Sequence, residues 1–301
     1  MSTSSTLADL LATAVPVTHA VLAVQGGEVV LEHYGQGVTA DTTLRSWSMA
    51  KSITHALVGF VVDDDLLDLH GPAPVPEWAD DERSAITVDQ LLRMCSGLAW
   101  REDYLDRGAS DVQEMLWGEG RADMAAFAAR SPLAHEPGTV FTYSSGTTNI
   151  LSRLVGERHD VATLLADRLF APLGMTSAIP RFDGAGTFVG SSFLYATARD
   201  FARFGELYLH RGRDVLPSWW VDHARTPSPV PQEPGEQPYG AHWWLFPAVD
   251  GSFAAQGYEG QRTLVVPDDD LVVVRLGQTP VEQKPELDAW LVDLVTALRA
   301  P

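Results

Sequence analysis

The sequence predicts an α+β fold: an antiparallel sheet built from both ends of the chain and flanked by helices, with a mostly helical part inserted between them. Three observations predict it. β-Rich runs open the chain at 17–24 and 28–34. Further runs close it at 239–246, 252–257, 261–266 and 271–276. Between about 87 and 212 the apolar residues keep helical spacing instead. The implied division is a sheet part of residues 1–62 and 213–301 and a helical part of residues 63–212, forming one unit overall.

The elements follow in order. Gly26-Gly27 joins the first two runs as a hairpin. A helix begins near Ser48 and runs through Val62, because Met49, Ile53, Leu57 and Phe60 share one face. The acidic turn Asp63-Asp64-Asp65 and a Pro-rich loop at 71–76 come next. Thr87 and Gln90 have the form of a capping box and open a helix to about Cys95. Helical patterns recur at 121–130, 147–158, 160–170 and 197–210, with a β-branched stretch at 187–193 among them. Residues 226–238 are Pro-rich and read as a surface loop. Pro267-Asp268-Asp269-Asp270 turns the chain between the last two strands. A final helix at 284–299 places Leu287, Leu291, Leu294 and Leu298 on one face.

Composition narrows the function. The chain has 301 residues, of which 45% are hydrophobic and 20% charged, enough for a substantial core. Lys and Arg number 21 against 40 Asp and Glu, a formal charge of −19, which repels nucleic acid and anionic membrane surfaces. The one cysteine, Cys95, excludes an internal disulfide. The first residues lack the basic and apolar blocks of an export signal, and the longest apolar run, Ala56 to Val62, is too short to span a bilayer. A soluble cytoplasmic protein is expected. Neither a metal nor a cofactor is expected: H-E-x-x-H, paired C-x-x-C and G-x-x-x-x-G-K-[ST] are absent, and Gly184, Gly186 and Gly190 miss the dinucleotide spacing. G-x-S-x-G is absent as well.

The positive signal is Ser48-Met49-Ala50-Lys51. It opens an apolar helix just after a strand end at 44–47, so Ser48 meets the positive end of the helix dipole and its free N–H groups. Residues i and i+3 share a helix face, which brings the Lys51 amine to the Ser48 hydroxyl. A serine attacks only when a base takes its proton, and a lysine is such a base when burial lowers its pKa. The same residues fit a capping serine and a solvated lysine. Only two lysines occur, Lys51 and Lys284, which favours a functional role. A second piece, Tyr143-Ser144-Ser145 before a helix, either presents a phenol to a cleft or forms a strand-to-helix turn. A third, Gln256-Gly257-Tyr258-Glu259-Gly260-Gln261, either brings a backbone N–H to a ligand or makes a bulge in the closing strands.

Taken in order, these pieces resemble the serine β-lactamase and penicillin-binding-protein superfamily. The likeness is to its class C branch, which includes esterases, D-amino-acid peptidases and nylon-oligomer hydrolases. Ser48-Met49-Ala50-Lys51 resembles the family's S-x-x-K. Ile86 through Leu98 is similar to its segment I-T-x-x-x-L-L-x-x-x-S-G-L, Tyr143-Ser144-Ser145 to its Y-x-N, and Tyr258-Glu259-Gly260 to its K-T-G or H-x-G. The resemblance implies Ser48 as acylated nucleophile, Lys51 as proton acceptor and Tyr143 as the group returning the proton to the leaving group. It also implies an oxyanion hole from the backbone N–H groups of Ser48 and Gln261, with Tyr104, Ser145, Tyr258, Glu259 and Gly260 bordering the substrate. Ser145 stands where the family has Asn, and Tyr258 where it has Lys or His, with Glu259 adding a negative charge. These departures disfavour carboxylate-bearing substrates such as β-lactams.

Trp219-Trp220 and Trp243-Trp244 read as core, with at most one of Trp243 and Trp244 facing a cleft because neighbours on a strand point opposite ways. The expected activity is hydrolysis of a small ester or amide through a Ser48 acyl-enzyme. The alternatives are a transacylase that hands the acyl group to an amine or alcohol, and a binding module that has lost catalysis.

Overall fold

A six-stranded antiparallel sheet is assembled from the two chain ends in the computed structural model, which describes residues 7–13, 15, 17–105 and 110–299. In chain order the strands are β1 (Thr18–Gln25), β2 (Glu28–Tyr34), β3 (Leu44–Arg45), β4 (Ile179–Pro180), β5 (Leu194–Ala196), β6 (Trp244–Leu245), β7 (Phe253–Gly257), β8 (Gln261–Val266) and β9 (Leu271–Gly277). The large sheet runs β2-β1-β9-β8-β7-β6, so the first hairpin docks its inner strand against the last strand of the chain. The short strands β3, β5 and β4 form a separate three-stranded sheet.

Period-two alternation explains how both faces of the large sheet are covered. Leu22, Val24, Val272, Val274 and Leu276 face the helices of the middle of the chain. Val21, Ala23, Leu264, Leu271 and Val273 face the other way, onto Leu287, Leu291, Leu294 and Val295 of the Lys284–Arg299 helix. That helix has the bounds its apolar stripe predicts. The Ala50–Asp63 helix is buried from Ala50 to Val61 and forms the centre of the larger core. Ala198–Leu209 lies on the helical side of the expected division at 212. It nevertheless packs on the sheet, close enough that a methyl group at Gly205 would stand 2.6 Å from Val272.

Behind the central helix runs a buried polar chain. The Tyr208 hydroxyl lies 2.8 Å from His55 Nδ1, His55 Nε2 lies 3.3 Å from His223 Nδ1, and His223 Nε2 lies 2.7 Å from Asp89. A carboxylate only accepts, so His223 carries its proton on Nε2; His55 then donates from Nε2 and accepts from Tyr208. His242 is buried separately, with Nδ1 donating to the Leu92 carbonyl at 2.7 Å and Nε2 facing the Thr148 hydroxyl at 3.0 Å. Trp220 stacks on His55 with ring centroids 4.6 Å apart.

The structure corrects several expectations. The run 239–246 is a strand only at Trp244–Leu245. His242 sits at φ +56° and Tyr239 bridges back to Trp244, so the alternating hydrophobics there belong to a turn. The helix expected at 160–170 is helical over Val161–Leu164 and then widens into a π-helical turn over Leu165–Phe170. Short helices at Leu7–Ala12, Asp111–Trp117 and Ser218–Arg225 were not individually anticipated. Their apolar positions are too few to establish a period. Of the tryptophan pairs, Trp220 and Trp243 are buried in the core, whereas Trp219 is exposed. No helix among the described residues is long and apolar enough to cross a membrane.

Candidate active site

Ser48 sits where β3 turns into the central helix, in a single helical turn over Trp47–Met49. Two features hold this turn. Ser46 accepts the Leu194 N–H through its Oγ at 3.2 Å, and its own N–H donates to the Leu194 carbonyl at 2.8 Å, fastening the turn to β5. Trp47 occupies the left-handed region at φ +46°, a conformation that persists in a bulky residue only where its surroundings enforce it. Here the indole N–H donates to Glu259 at 3.1 Å, the Arg45 guanidinium lies 4.6 Å over the ring, and Tyr104 and Tyr258 contact its edges. Ser48 is 8% exposed and opens into a cleft of about 200 Å³.

Lys51, one helical turn on, is 1% exposed. Its Nζ lies 3.0 Å from Ser48 Oγ, 2.9 Å from Ser145 Oγ and 3.1 Å from the Ser191 carbonyl. Burial pulls its pKa down to about 8, against a smaller upward push from the Glu102 carboxylate. The capping alternative is thereby set aside, since the lysine is not solvated. Tyr143 lines the same cleft, and Lys51 Nζ stands 4.8 Å over its ring. Burial and the Glu102 charge hold the Tyr143 phenol well above its usual range, with Ser48 pulling weakly the other way. Tyr143 thus keeps its phenol proton.

The third piece borders the cleft with Tyr258, Glu259 and Gly260. Two glycines make this possible. A methyl group at Gly257 would stand 2.4 Å from the Ser46 carbonyl, so only glycine lets β7 approach the serine turn. Gly260 lies at φ +78°, and a methyl group there would strike Leu287 at 2.7 Å and Arg275 at 2.8 Å. Arg275 is fully buried and donates to the carbonyls of Glu259 and Gly260 at 3.3 and 3.1 Å, holding the turn from behind. Gln261, expected to lend its backbone N–H to an oxyanion hole, is buried and is not among the residues lining this cleft; its side chain is tied to Gly277 of β9, donating at 2.6 Å and accepting at 3.0 Å. Tyr104 stacks on Tyr258 at 4.6 Å between ring centroids, and Trp244 alone of its pair lines the cleft. Lys284, the other lysine, stands at the far end and pairs with Asp288 at 2.9 Å.

Two residues differ from expectation. Ser145, expected to border substrate, is fully buried and does not line the cleft. Its shorter side chain ends at Lys51 and Glu102 instead of projecting past them. Glu102 was missed. Its carboxylate accepts the Ser145 hydroxyl at 2.5 Å, the Ser145 N–H at 2.8 Å and the Trp100 indole N–H at 2.6 Å. Alternation along an extended segment puts Trp100, Glu102 and Tyr104 on one side, a signal that would have grouped Glu102 with Tyr104.

A sheet closed from both chain ends, carrying a serine and a buried lysine at the head of its central helix, is the arrangement of a serine hydrolase with the β-lactamase fold. The chain belongs to the family described as Beta-lactamase, which it matches over residues 7–297. The 6-aminohexanoate-dimer hydrolase of Paenarthrobacter ureafaciens is 29% identical to it over 97% of this chain and 84% of the relative. A Bacillus anthracis structure assigned to the same hydrolase type superposes with a TM-score of 0.84 at 23% identity, covering 99% of this chain and 83% of the other. A family VIII carboxylesterase superposes with a TM-score of 0.72 at 15% identity, covering 93% and 92%.

Proposed function

We propose that this protein hydrolyses small esters or amides through a covalent Ser48 acyl-enzyme. The observation that carries the reading is the buried Lys51 amine, 3.0 Å from Ser48 Oγ and with a pKa of about 8. Near pH 8 a large fraction of this amine is neutral and takes the hydroxyl proton as Ser48 Oγ bonds to the substrate carbonyl carbon. The carbonyl oxygen becomes an oxyanion facing the backbone N–H groups of Ser48 and Gln261. The Tyr143 phenol protonates the departing alcohol or amine as the carbonyl–leaving-group bond breaks, and recovers its proton from Lys51. Water then adds to the acyl-enzyme by the same route, and Ser48 is released. The relation to a 6-aminohexanoate-dimer hydrolase favours linear amides and their ester analogues as substrates.

The two-step path predicts a burst of p-nitrophenol stoichiometric with enzyme when p-nitrophenyl butyrate is mixed with it. Quenching at that point leaves a butyryl adduct on the Ser48 peptide, read by mass spectrometry. An adduct elsewhere, or turnover with no adduct trapped under any quench, counts against the acyl-enzyme.

The third piece carries no cation, Glu259 places a carboxylate at the cleft wall, and the cleft's cations Arg262 and Lys284 are each paired with Asp288. Nitrocefin, whose carboxylate would face that charge, is expected to be turned over at least about a hundredfold less efficiently than p-nitrophenyl butyrate. Comparable kcat/KM values for the two would refute this selectivity.

A further inference from the structure

Ser145 Oγ stands between Lys51 Nζ at 2.9 Å and Glu102 Oε1 at 2.5 Å. The direction of its one proton decides what Lys51 can do. A neutral amine has two N–H bonds and one lone pair, and it serves as a base for Ser48 only if the lone pair points there. The Ser191 carbonyl, 3.1 Å away, can only accept and so fixes one N–H. Ser145 fixes the second N–H only if its oxygen accepts, which requires its proton to be donated elsewhere. Glu102 receives that proton.

We propose that Glu102 is a positioning residue for the reaction: by taking the Ser145 proton it makes Ser145 an acceptor for Lys51 and turns the Lys51 lone pair toward Ser48. The inference rests on the acyl-enzyme reading above and extends it to a residue that never touches substrate.

The carboxylate is itself held in one orientation. Its Oε2 accepts two N–H donors, Ser145 N and Trp100 Nε1, while Oε1 faces the Ser145 hydroxyl and, at 3.4 Å, the Tyr104 hydroxyl. Ser145 N–H is the first of the Ser145–Gly156 helix, where a negative charge is favoured. This asymmetry makes Glu102→Gln informative. The two N–H donors require the amide oxygen at the Oε2 position, so the amide NH2 faces Ser145 Oγ. Ser145 then accepts from Gln, and its proton turns toward Lys51 Nζ and competes for the lone pair. The variant keeps the shape and reverses the chain.

The test follows the reaction of Ser48 with a fluorophosphonate, in which Ser48 Oγ bonds to phosphorus, fluoride leaves and Lys51 takes the proton. Fluoride needs no acid to depart, so Tyr143 does not enter, and no natural substrate is required. Labelling rates are measured from pH 6 to 10 for wild type, Glu102→Gln, Ser145→Ala and the double variant, with thermal midpoints as folding controls. The limiting rate for Glu102→Gln is expected to fall about 10- to 100-fold, and the double variant to be no slower than the slower single variant. The rise of rate with pH is also expected to move to lower pH, because Glu102 is the charge that raises the Lys51 pKa. Tyr104, Tyr143 and His242 are the other titratable groups near Lys51; none carries a negative charge over most of this range that could substitute for Glu102.

A Glu102→Gln rate within twofold of wild type, with an unmoved pH profile, overturns the proposal. Losses that multiply in the double variant overturn it too, since Glu102 would then act apart from Ser145. Failure of the wild type to label at Ser48 would instead bring down the acyl-enzyme reading, and this inference with it.

Discussion

Ser48→Ala is expected to lower kcat/KM for p-nitrophenyl butyrate by at least about a thousandfold, and Lys51→Ala by a similar factor. On the proposed mechanism the two act as one unit: the oxygen is a poor nucleophile while it keeps its proton, and Lys51 Nζ stands 3.0 Å away as its base. The double variant should therefore be about as slow as either single one. The residual rate reflects binding and backbone N–H groups alone. In the wild type, kcat/KM should rise with pH through about 8, because Lys51 works as a base only after losing its proton. Both substitutions remove small or apolar-stemmed groups from one helix turn, so matched thermal midpoints establish that the variants fold. Ser48→Ala activity within tenfold of wild type would remove Ser48 from the reaction. Loss in Ser48→Ala with full activity in Lys51→Ala would transfer the role of base elsewhere.

How much of this was legible beforehand follows from the range over which each feature acts. The Lys284–Arg299 helix has the bounds its periodicity predicts, since burial on one face imprints a repeat on the sequence, whereas β2, which buries none of its residues, was readable from its β-rich composition and the glycine turn before it. The pairing of β1 with β9 was readable only as a general pattern, strands at both ends. Ser48 and Lys51 were legible because one helical turn joins them. Ser145 was placed in the right segment but assigned the wrong neighbours, since its partners lie 94 and 43 residues away. Glu102 fell through for the same reason: its importance comes from what it meets at the start of another helix, and sequence separation hides that meeting. The turn at 240–243 misled in the opposite sense, since its alternating hydrophobics mimic a strand while His242 in the left-handed region reverses the chain.

Acid should destabilise this fold well above the range in which carboxylates titrate. In the chain Tyr208–His55–His223–Asp89 the histidine hydrogens are already committed, so a second proton on His55 would bring an N–H against the Tyr208 oxygen, on the side of the ring away from Asp89. Burial holds the His55 pKa well below its ordinary value, with His223, His242 and Arg93 adding repulsion. His242 is held down to about 3, chiefly by burial. His223 is lowered also, burial outweighing the opposing bond to Asp89. The sign follows from linkage. These histidines stay neutral in the native state while the unfolded chain takes up protons below about pH 6.5, so stability is complete above that pH and falls as pH drops toward the native pKa values. A histidine held neutral costs about 1.4 kcal/mol per pH unit below its unfolded pKa, so His242 alone removes about 2 kcal/mol by pH 5, and His55 acts in the same direction. Against a total of about 5–15 kcal/mol that is a sizeable fraction, and the thermal midpoint should drop by at least about 4 °C between pH 7.5 and 5. His242→Gln, which can still donate to Leu92, should shrink the drop even if it lowers stability at pH 7.5. A midpoint unchanged between the two pH values would show that the buried histidines gain protons as readily as free ones, contrary to their commitment in this core.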